Sequence, residues 1–258
     1  MDGYVDRVYI GDMIGQMWVF DVSFNNTTKK SNSYWAGDVL FKAPTVTPEK
    51  HPIYGTAAVA LDDNRKPWVF FGTGDREDPK NVLGPQERFY AVRDDGVGTY
   101  PLIEDDLVEK DLSNVTNNNT FTPDPTKRGW FLKLEAGGQV REKVWEKAIV
   151  FNGLVYFTSY VADGSVDPCG IAGSSRLYIV EYKSGGGAFN VQSMADFQGT
   201  PSDRFVQIGT GTPSAPVITL NLKGEATVTT GMMSGKVHTR KIFAPKNKSA
   251  LYWRDVVK

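Results

Sequence analysis

The residues whose type and spacing best suggest chemistry stand at the start of the chain, in Asp2-Gly3-Tyr4-Val5-Asp6. Calcium takes about six to eight hard oxygen ligands, drawn from carboxylates at alternate positions and a backbone carbonyl, with a glycine at the sharp turn. On that register Asp2 and Asp6 supply side-chain oxygens and Tyr4 its carbonyl, as the second half of a loop of the form D-x-[DN]-x-D-G-x-x-D. Its first two ligands would precede Met1, so the other half of the loop is expected in a longer parent chain. D-G-x-x-D also describes an ordinary turn, and the residues by themselves leave both readings open.

No other group has the spacing of a reactive site. Asp12, Asp75, Asp94, Asp95, Asp105 and Asp106 form no recognisable acid/base pair, and most stand where Asp bonds nearby backbone in turns. His51 and His238 are the only histidines, and neither has the partner spacing of a metal site. Gly72-Thr73-Gly74 and Gly209-Thr210-Gly211 lack the G-K-[ST] of a phosphate loop and a following helix, so they read as tight strand ends. Cys169, the single cysteine, has no basic or histidine neighbour to activate it and reads as a loop residue, buried or unpaired. It excludes an internal disulfide and a multi-cysteine zinc site. No catalytic or cofactor-binding residue is assigned.

The elements that must position these residues are strands. Twenty-six glycines and 14 prolines spread along 258 residues, with 11 tyrosines, 14 phenylalanines and many valines, suit short strands joined by tight turns. With 29 basic against 30 acidic residues there is no global field to draw nucleic acid or an anionic membrane. No apolar run is long enough to span a bilayer. Met1-Asp2-Gly3-Tyr4 has none of the parts of a signal peptide, so for an exported parent the signal is expected upstream.

A strand pair recurs along the chain. Val8-Tyr9-Ile10-Gly11 with Met17-Trp18-Val19-Phe20-Asp21 reads as a hairpin. Trp68-Val69-Phe70-Phe71-Gly72-Thr73-Gly74 with Arg88-Phe89-Tyr90-Ala91-Val92-Arg93-Asp94 repeats the plan. Val155-Tyr156-Phe157-Thr158-Ser159 with Arg176-Leu177-Tyr178-Ile179-Val180-Glu181 does so again, and Ala226-Thr227-Val228-Thr229-Thr230-Gly231 with Lys236-Val237-His238-Thr239-Arg240 is a fourth copy. Three copies follow a strand of small and β-branched residues, which suits the crowded inner position of a propeller blade. The turns Asp62-Asp63-Asn64-Arg65, Asn152-Gly153 and Lys223-Gly224 carry hairpin chemistry. The expected fold is all-β: a partial β-propeller of about three to four antiparallel blades within one domain over 1–258. The first blade is expected to be incomplete, the missing blades to lie upstream in the parent, and Ala250-Leu251-Tyr252-Trp253-Arg254 to be the last strand. Polar stretches 23–33 and 103–128 are expected as surface loops without a core of their own, with Asn117-Asn118-Asn119-Thr120 the most disorder-like.

These residues resemble a known family. Asp2 to Asp12, followed by Gly15-Gln16-Met17-Trp18-Val19-Phe20-Asp21, is similar to the segment of PilY/PilC-type type IV pilus tip proteins that leads from their calcium loop into a propeller blade. Phe70-Phe71-Gly72-Thr73-Gly74 with Phe89-Tyr90-Ala91-Val92-Arg93-Asp94 resembles that family's "FGTG…FYGIxD" blade, and Gly129-Trp130-Phe131-Leu132-Lys133-Leu134 its "GWYLDL" strand. Val155-Tyr156-Phe157-Thr158, Asp167-Pro168-Cys169 and Leu177-Tyr178 are similar to "VYFTT…DPC…LY". Gly211-Thr212-Pro213-Ser214-Ala215-Pro216 and Tyr252-Trp253-Arg254-Asp255 fit its last blade and terminal strand.

The resemblance implies the C-terminal propeller part of an exported, non-enzymatic bacterial protein at the outer membrane, cell surface or pilus tip. It further implies a role in pilus assembly, extension and retraction, twitching motility and adhesion, with calcium tuning the balance in the parent. The implied partners are pilin or minor pilins and a host or abiotic surface. Two other readings share the strand plan. A quinoprotein dehydrogenase would need a pyrroloquinoline quinone pocket, a catalytic aspartate, a calcium, and commonly a cysteine pair and a repeated tryptophan motif; the single cysteine and the lack of that motif count against it. A generic protein-binding propeller would use loops on one face.

Overall fold

The computed structural model describes residues 6–25, 30–31, 37–44, 50–96, 98–110, 123–135, 141–164, 173–190, 204–242 and 244. The expectations placed on Asp2, Tyr4, Cys169, 117–120 and the closing strand at 250–254 lie outside these residues.

Alternating apolar runs broken by Gly, Asn and Asp become strands, as a period of two requires. In chain order they are β1 Arg7–Gly11, β2 Gln16–Asp21, β3 Phe24–Asn25, β4 Lys30–Ser31, β5 Gly37–Lys42, β6 Ala58–Leu61, β7 Pro67–Gly72, β8 Arg88–Arg93, β9 Val108–Lys110, β10 Gly129–Lys133, β11 Glu142–Lys143, β12 Ile149–Phe151, β13 Leu154–Val161, β14 Ser174–Glu181, β15 Phe205–Thr210, β16 Val217–Leu220, β17 Ala226–Gly231 and β18 Val237–Ile242. The only helical element among the described residues is a 3-10 turn, Glu104–Asp106.

Four of the sheets follow one another as blades. The first is β1-β2-β5, the second β6-β7-β8-β10-β9, the third β11-β13-β14-β15 with β12 also on β13, and the fourth β16-β17-β18; β3 and β4 form a separate ribbon. All four expected strand pairs form antiparallel, with Val8 opposite Phe20, Phe70 opposite Ala91, Phe157 opposite Tyr178 and Thr229 opposite Thr239. The turns behave as their residues dictate. Asn152 and Gly153 both take positive φ, 53° and 75°, which is the geometry a two-residue hairpin of this hand needs. The Asp62 carboxylate accepts the amides of Asn64 and Lys66.

Blade stacking follows from alternation along each strand. On β7, Trp68 and Phe70 face the third blade while Val69 and Phe71 face the first. On β13, Val155 and Phe157 face the second blade while Leu154 and Tyr156 face the fourth. One sheet thus feeds two cores, which is how a propeller buries both faces of a blade.

Three expectations change. The stretch 103–128 is not all loop: Leu107 is buried in the core between the first two blades, and β9 adds to β10 as a parallel edge strand. Likewise β3 and β4 pair within 23–33. The small residues of the inner strands do not sit in a crowded place throughout. Ala58 is buried, but Val59 and Val217 are 46% and 54% exposed, because these strands are edges with one face toward open space. The first and fourth blades each show three strands among the described residues.

Candidate functional site

Asp6 is the one expected calcium ligand that the structure describes, and it is exposed. Its carbonyl accepts the Val22 amide at 2.9 Å, closing the first hairpin. No cluster of three or more His, Cys, Asp or Glu side chains able to hold a metal occurs among the described residues. Of the expected ligands the described residues include Asp6 alone, and they do not by themselves make a calcium site.

The residues that follow Asp6 are tied to the next blade. The Arg7 guanidinium is paired with Asp94 at the end of β8, and the Tyr9 hydroxyl donates to the same carboxylate oxygen at 2.7 Å. The other oxygen accepts the Tyr100 hydroxyl and, at 2.9 Å, the Gly96 amide. Burial alone would raise the Asp94 carboxyl, but the hydrogen bonds from Tyr100, Tyr9 and Arg7 outweigh it and hold it below the ordinary range. Burial, reinforced by Asp94, pushes the Tyr9 and Tyr100 hydroxyls up, so both remain donors.

A second buried carboxylate organises the third blade. Glu142 on β11 accepts the hydroxyls of Ser159 and Tyr178 on one oxygen, the latter at 2.7 Å, and the Arg176 guanidinium on the other at 2.6 Å. Arg176 also lies 4.3 Å over the Phe205 ring and donates to the Glu135 carbonyl at 2.8 Å. Here burial prevails over Arg176 and the hydroxyls, and the Glu142 carboxyl is raised. An electrostatically anchored carboxylate of this kind fixes strand positions, joining β11 to β13 and β14 through Ser159, Tyr178 and Arg176.

The remaining candidates are structural. Asp12 and Asp75 accept backbone amides two residues on, and Asp106 accepts the Ile103 amide. Asp95 pairs with Arg93 and Arg128, whereas Asp105 contributes its carbonyl to Lys127. His51 is buried against Glu87 at 2.8 Å. His238 on β18 is pushed below the usual histidine range, first by burial and then by Arg240. Gly72-Thr73-Gly74 is the tight strand end expected. A Cβ at Gly72 would stand 2.2 Å from Val144, and Gly74, at φ 152°, donates its amide to the Pro52 carbonyl.

Between the second and third blades runs an aromatic ladder: Phe89 on Phe157 at 3.7 Å, Phe157 on Tyr178 at 4.5 Å and Tyr178 against Phe205 at 5.1 Å. Trp130 packs on Phe89 and donates its indole N–H to the Tyr182 carbonyl at 2.9 Å. Shallow recesses open to solvent lie beside β9 and β10 and between the third and fourth blades.

Sequence reasoning missed Arg7, Tyr9, Tyr100, Glu142 and Arg176. The available signal was Arg176 itself, a charge opening the apolar strand run Leu177-Tyr178-Ile179-Val180. Such a charge requires an opposite partner.

No protein-family model matches the chain. Among curated proteins, two type IV pilus biogenesis factor PilY1 homologues of Xylella fastidiosa (strain Temecula1) are similar to it. One is 28% identical over 203 residues, covering 72% of this chain, and the other 26% identical over 195 residues, again covering 72%. The chain spans only 14% and 15% of their lengths. Among solved structures, the Pseudomonas aeruginosa PilY1 C-terminal domain superposes with a TM-score of 0.68 over 95% of this chain and 58% of that domain, at 17% identity. The chain is thus a partial β-propeller with the fold of a PilY1 C-terminal domain, and its curated homologues are PilY1 homologues.

Proposed function

We propose that this chain is a non-catalytic part of a type IV pilus biogenesis protein, acting as a rigid scaffold on which pilin or minor pilins dock during assembly, extension and retraction. The observation that carries the reading is the combination of PilY1 homologues in sequence with a PilY1 domain in fold. The interior supports it: the buried carboxylates are committed to guanidinium and hydroxyl partners within and between blades. This suits a part whose task is to hold shape and present surface, with the location at the cell surface or pilus tip and the adhesive role belonging to the same reading. The test is in-frame deletion of the coding region for this chain in its own piliated host. Loss of surface pili and twitching, restored by complementation, is expected; normal piliation overturns the proposal.

Calcium regulation forms the finer part of the proposal. Asp6 would share the ion with Asp2, Tyr4 and ligands encoded ahead of them. What this chain's own residues do is tie the strand leaving Asp6 to the second blade, through Arg7 and Tyr9 on Asp94. Calorimetric titration with calcium of a chain that includes the preceding residues should show binding that Asp6→Ala weakens at least tenfold. Equal binding by both proteins removes Asp6 from the site.

A further inference from the structure

We propose that the recess between the outer edge of the second blade and the Tyr182-Lys183-Ser184 turn of the third is a binding site for a small oxyanion group, a carboxylate or a phosphate. The recess is lined by Arg93 from β8, Lys110 from β9, Lys183 and Ser184 from the turn, and the edges of Trp68 and Trp130 beneath. Two of its three cations are committed elsewhere. Arg93 pairs with Asp95 at 3.1 Å, and Lys183 reaches Asp63 at 2.6 Å. Lys110 has no hydrogen-bond or ion-pair partner among the described residues. Burial and then Arg204 push its ammonium below the ordinary lysine range, with Asp124 and Glu181 offsetting this only in part.

A partly desolvated ammonium with no counter-ion among the described residues costs free energy that an incoming anion recovers, provided the anion can reach it. The recess supplies that access as a shallow cleft open to solvent, at whose mouth an oxyanion can approach Lys110 while its bearer stays outside. The surrounding carboxylates do not remove the need. Glu181 is occupied by the amides of Lys183 and Ser184. Asp124 lines the rim, fully exposed, and its carboxylate accepts the amide and hydroxyl of Thr126. It opposes an anion through solvent, which gives the site a built-in control: removing the Asp124 charge should strengthen binding while removing the Lys110 charge abolishes it. The Ser184 hydroxyl stands in the same recess as a second donor beside the flexible Lys110 ammonium, a pair adaptable to either oxyanion.

The test is a titration of the full chain with inorganic phosphate and, separately, with acetate, at constant pH and ionic strength against chloride, read from backbone amide shifts. Saturable shifts at Lys110, Gly129 and Ser184 are expected with at least one of the two anions, and the preferred anion names the ligand class. Lys110→Gln should weaken binding at least tenfold with the rest of the spectrum unchanged, and Asp124→Asn should tighten it. Shifts that grow linearly without saturating, or a Lys110→Gln protein that titrates like the wild type, overturn the proposal. Should Lys110→Gln fail to fold, the surface change Asp124→Asn decides: affinity equal to or below that of the wild type overturns it.

Discussion

Asp94 and Glu142 are built alike and behave in opposite ways. Each is a buried carboxylate that accepts one arginine and two hydroxyls, in one case from the first blade and the loop after β8, in the other from within the third blade. Yet the Asp94 carboxyl is held low and the Glu142 carboxyl is raised. The donors differ little, so the surroundings decide. Arg7 is 31% exposed, so water still reaches the Asp94 cluster, and a backbone amide from Gly96 adds a fourth donor. Glu142 is sealed, with its arginine only 15% exposed and capped by Phe205. A seam between blades can keep a charge cheaply near its rim, whereas the same charge inside a blade is tolerated only because it is fully paired.

The largest effect should follow from breaking the pair inside the blade. Arg176→Ala leaves the sealed Glu142 without its cation and should cost about 3–5 kcal/mol in urea unfolding, the range for stripping one partner from a buried ion pair. In a Glu142→Gln background the same change should cost much less, because no charge is left unpaired. Equal costs in both backgrounds would mean that Arg176 acts through its packing on Phe205. Next comes the seam. Asp94→Asn keeps an acceptor for only one of the two tyrosines and loses the charge, and should cost about 1.5–3 kcal/mol, the range for hydrogen bonds to a charged group.

Acidity should separate the two carboxylates by sign. Asp94 has a depressed folded-state pKa, so its stabilisation is present above the unfolded value and is lost as pH falls through the folded one. Glu142 has a raised folded-state pKa, so its contribution is present below the unfolded value and is lost as pH rises through the folded one. On acidification the margin of wild type over Asp94→Asn should therefore shrink, while its standing relative to Glu142→Gln should improve. Denaturant midpoints of the three proteins across pH 3 to about 7 would show it. Parallel curves would show that the two sites share one electrostatic character.

The fold was legible where local chemistry and global pairing agree. The hairpin of β12 and β13 is written in Asn152-Gly153, and the unbroken apolar run of β7 anticipates its two-sided burial. The ladder residues Phe89, Trp130, Phe157 and Tyr178 also lie in the motifs that carry the family resemblance. What escaped is non-local or unpatterned. β9 is three residues, Val-Glu-Lys, with no periodicity to detect, and it is a strand only because β10 offers an open edge. The Asp94 cluster joins residues 85 and 87 positions apart, and no spacing rule reaches that far. Asp94 was read with the turn aspartates because it does accept the Gly96 amide in a turn; its second oxygen is what ties the first blade to the second.

Asp12 supplies the third point that isolates burial from hydrogen-bond count. Its carboxylate accepts three donors, the amides of Ile14 and Gln16 and the indole N–H of Trp18, at 2.8–2.9 Å. That number is close to what Asp94 and Glu142 receive, but the turn between β1 and β2 lies at the surface, where water replaces any donor that is lost. Asp12→Ala should therefore cost only about 1 kcal/mol, the usual net worth of such bonds in exposed turns and caps. Asp62→Ala in the equivalent turn of the second blade should cost less still, since its indole partner Trp68 stands at 3.4 Å. Thermal unfolding of both variants beside Asp94→Asn would place the three on one scale. If Asp12→Ala matched the loss at Asp94, donor count and not desolvation would govern how these blades use their carboxylates.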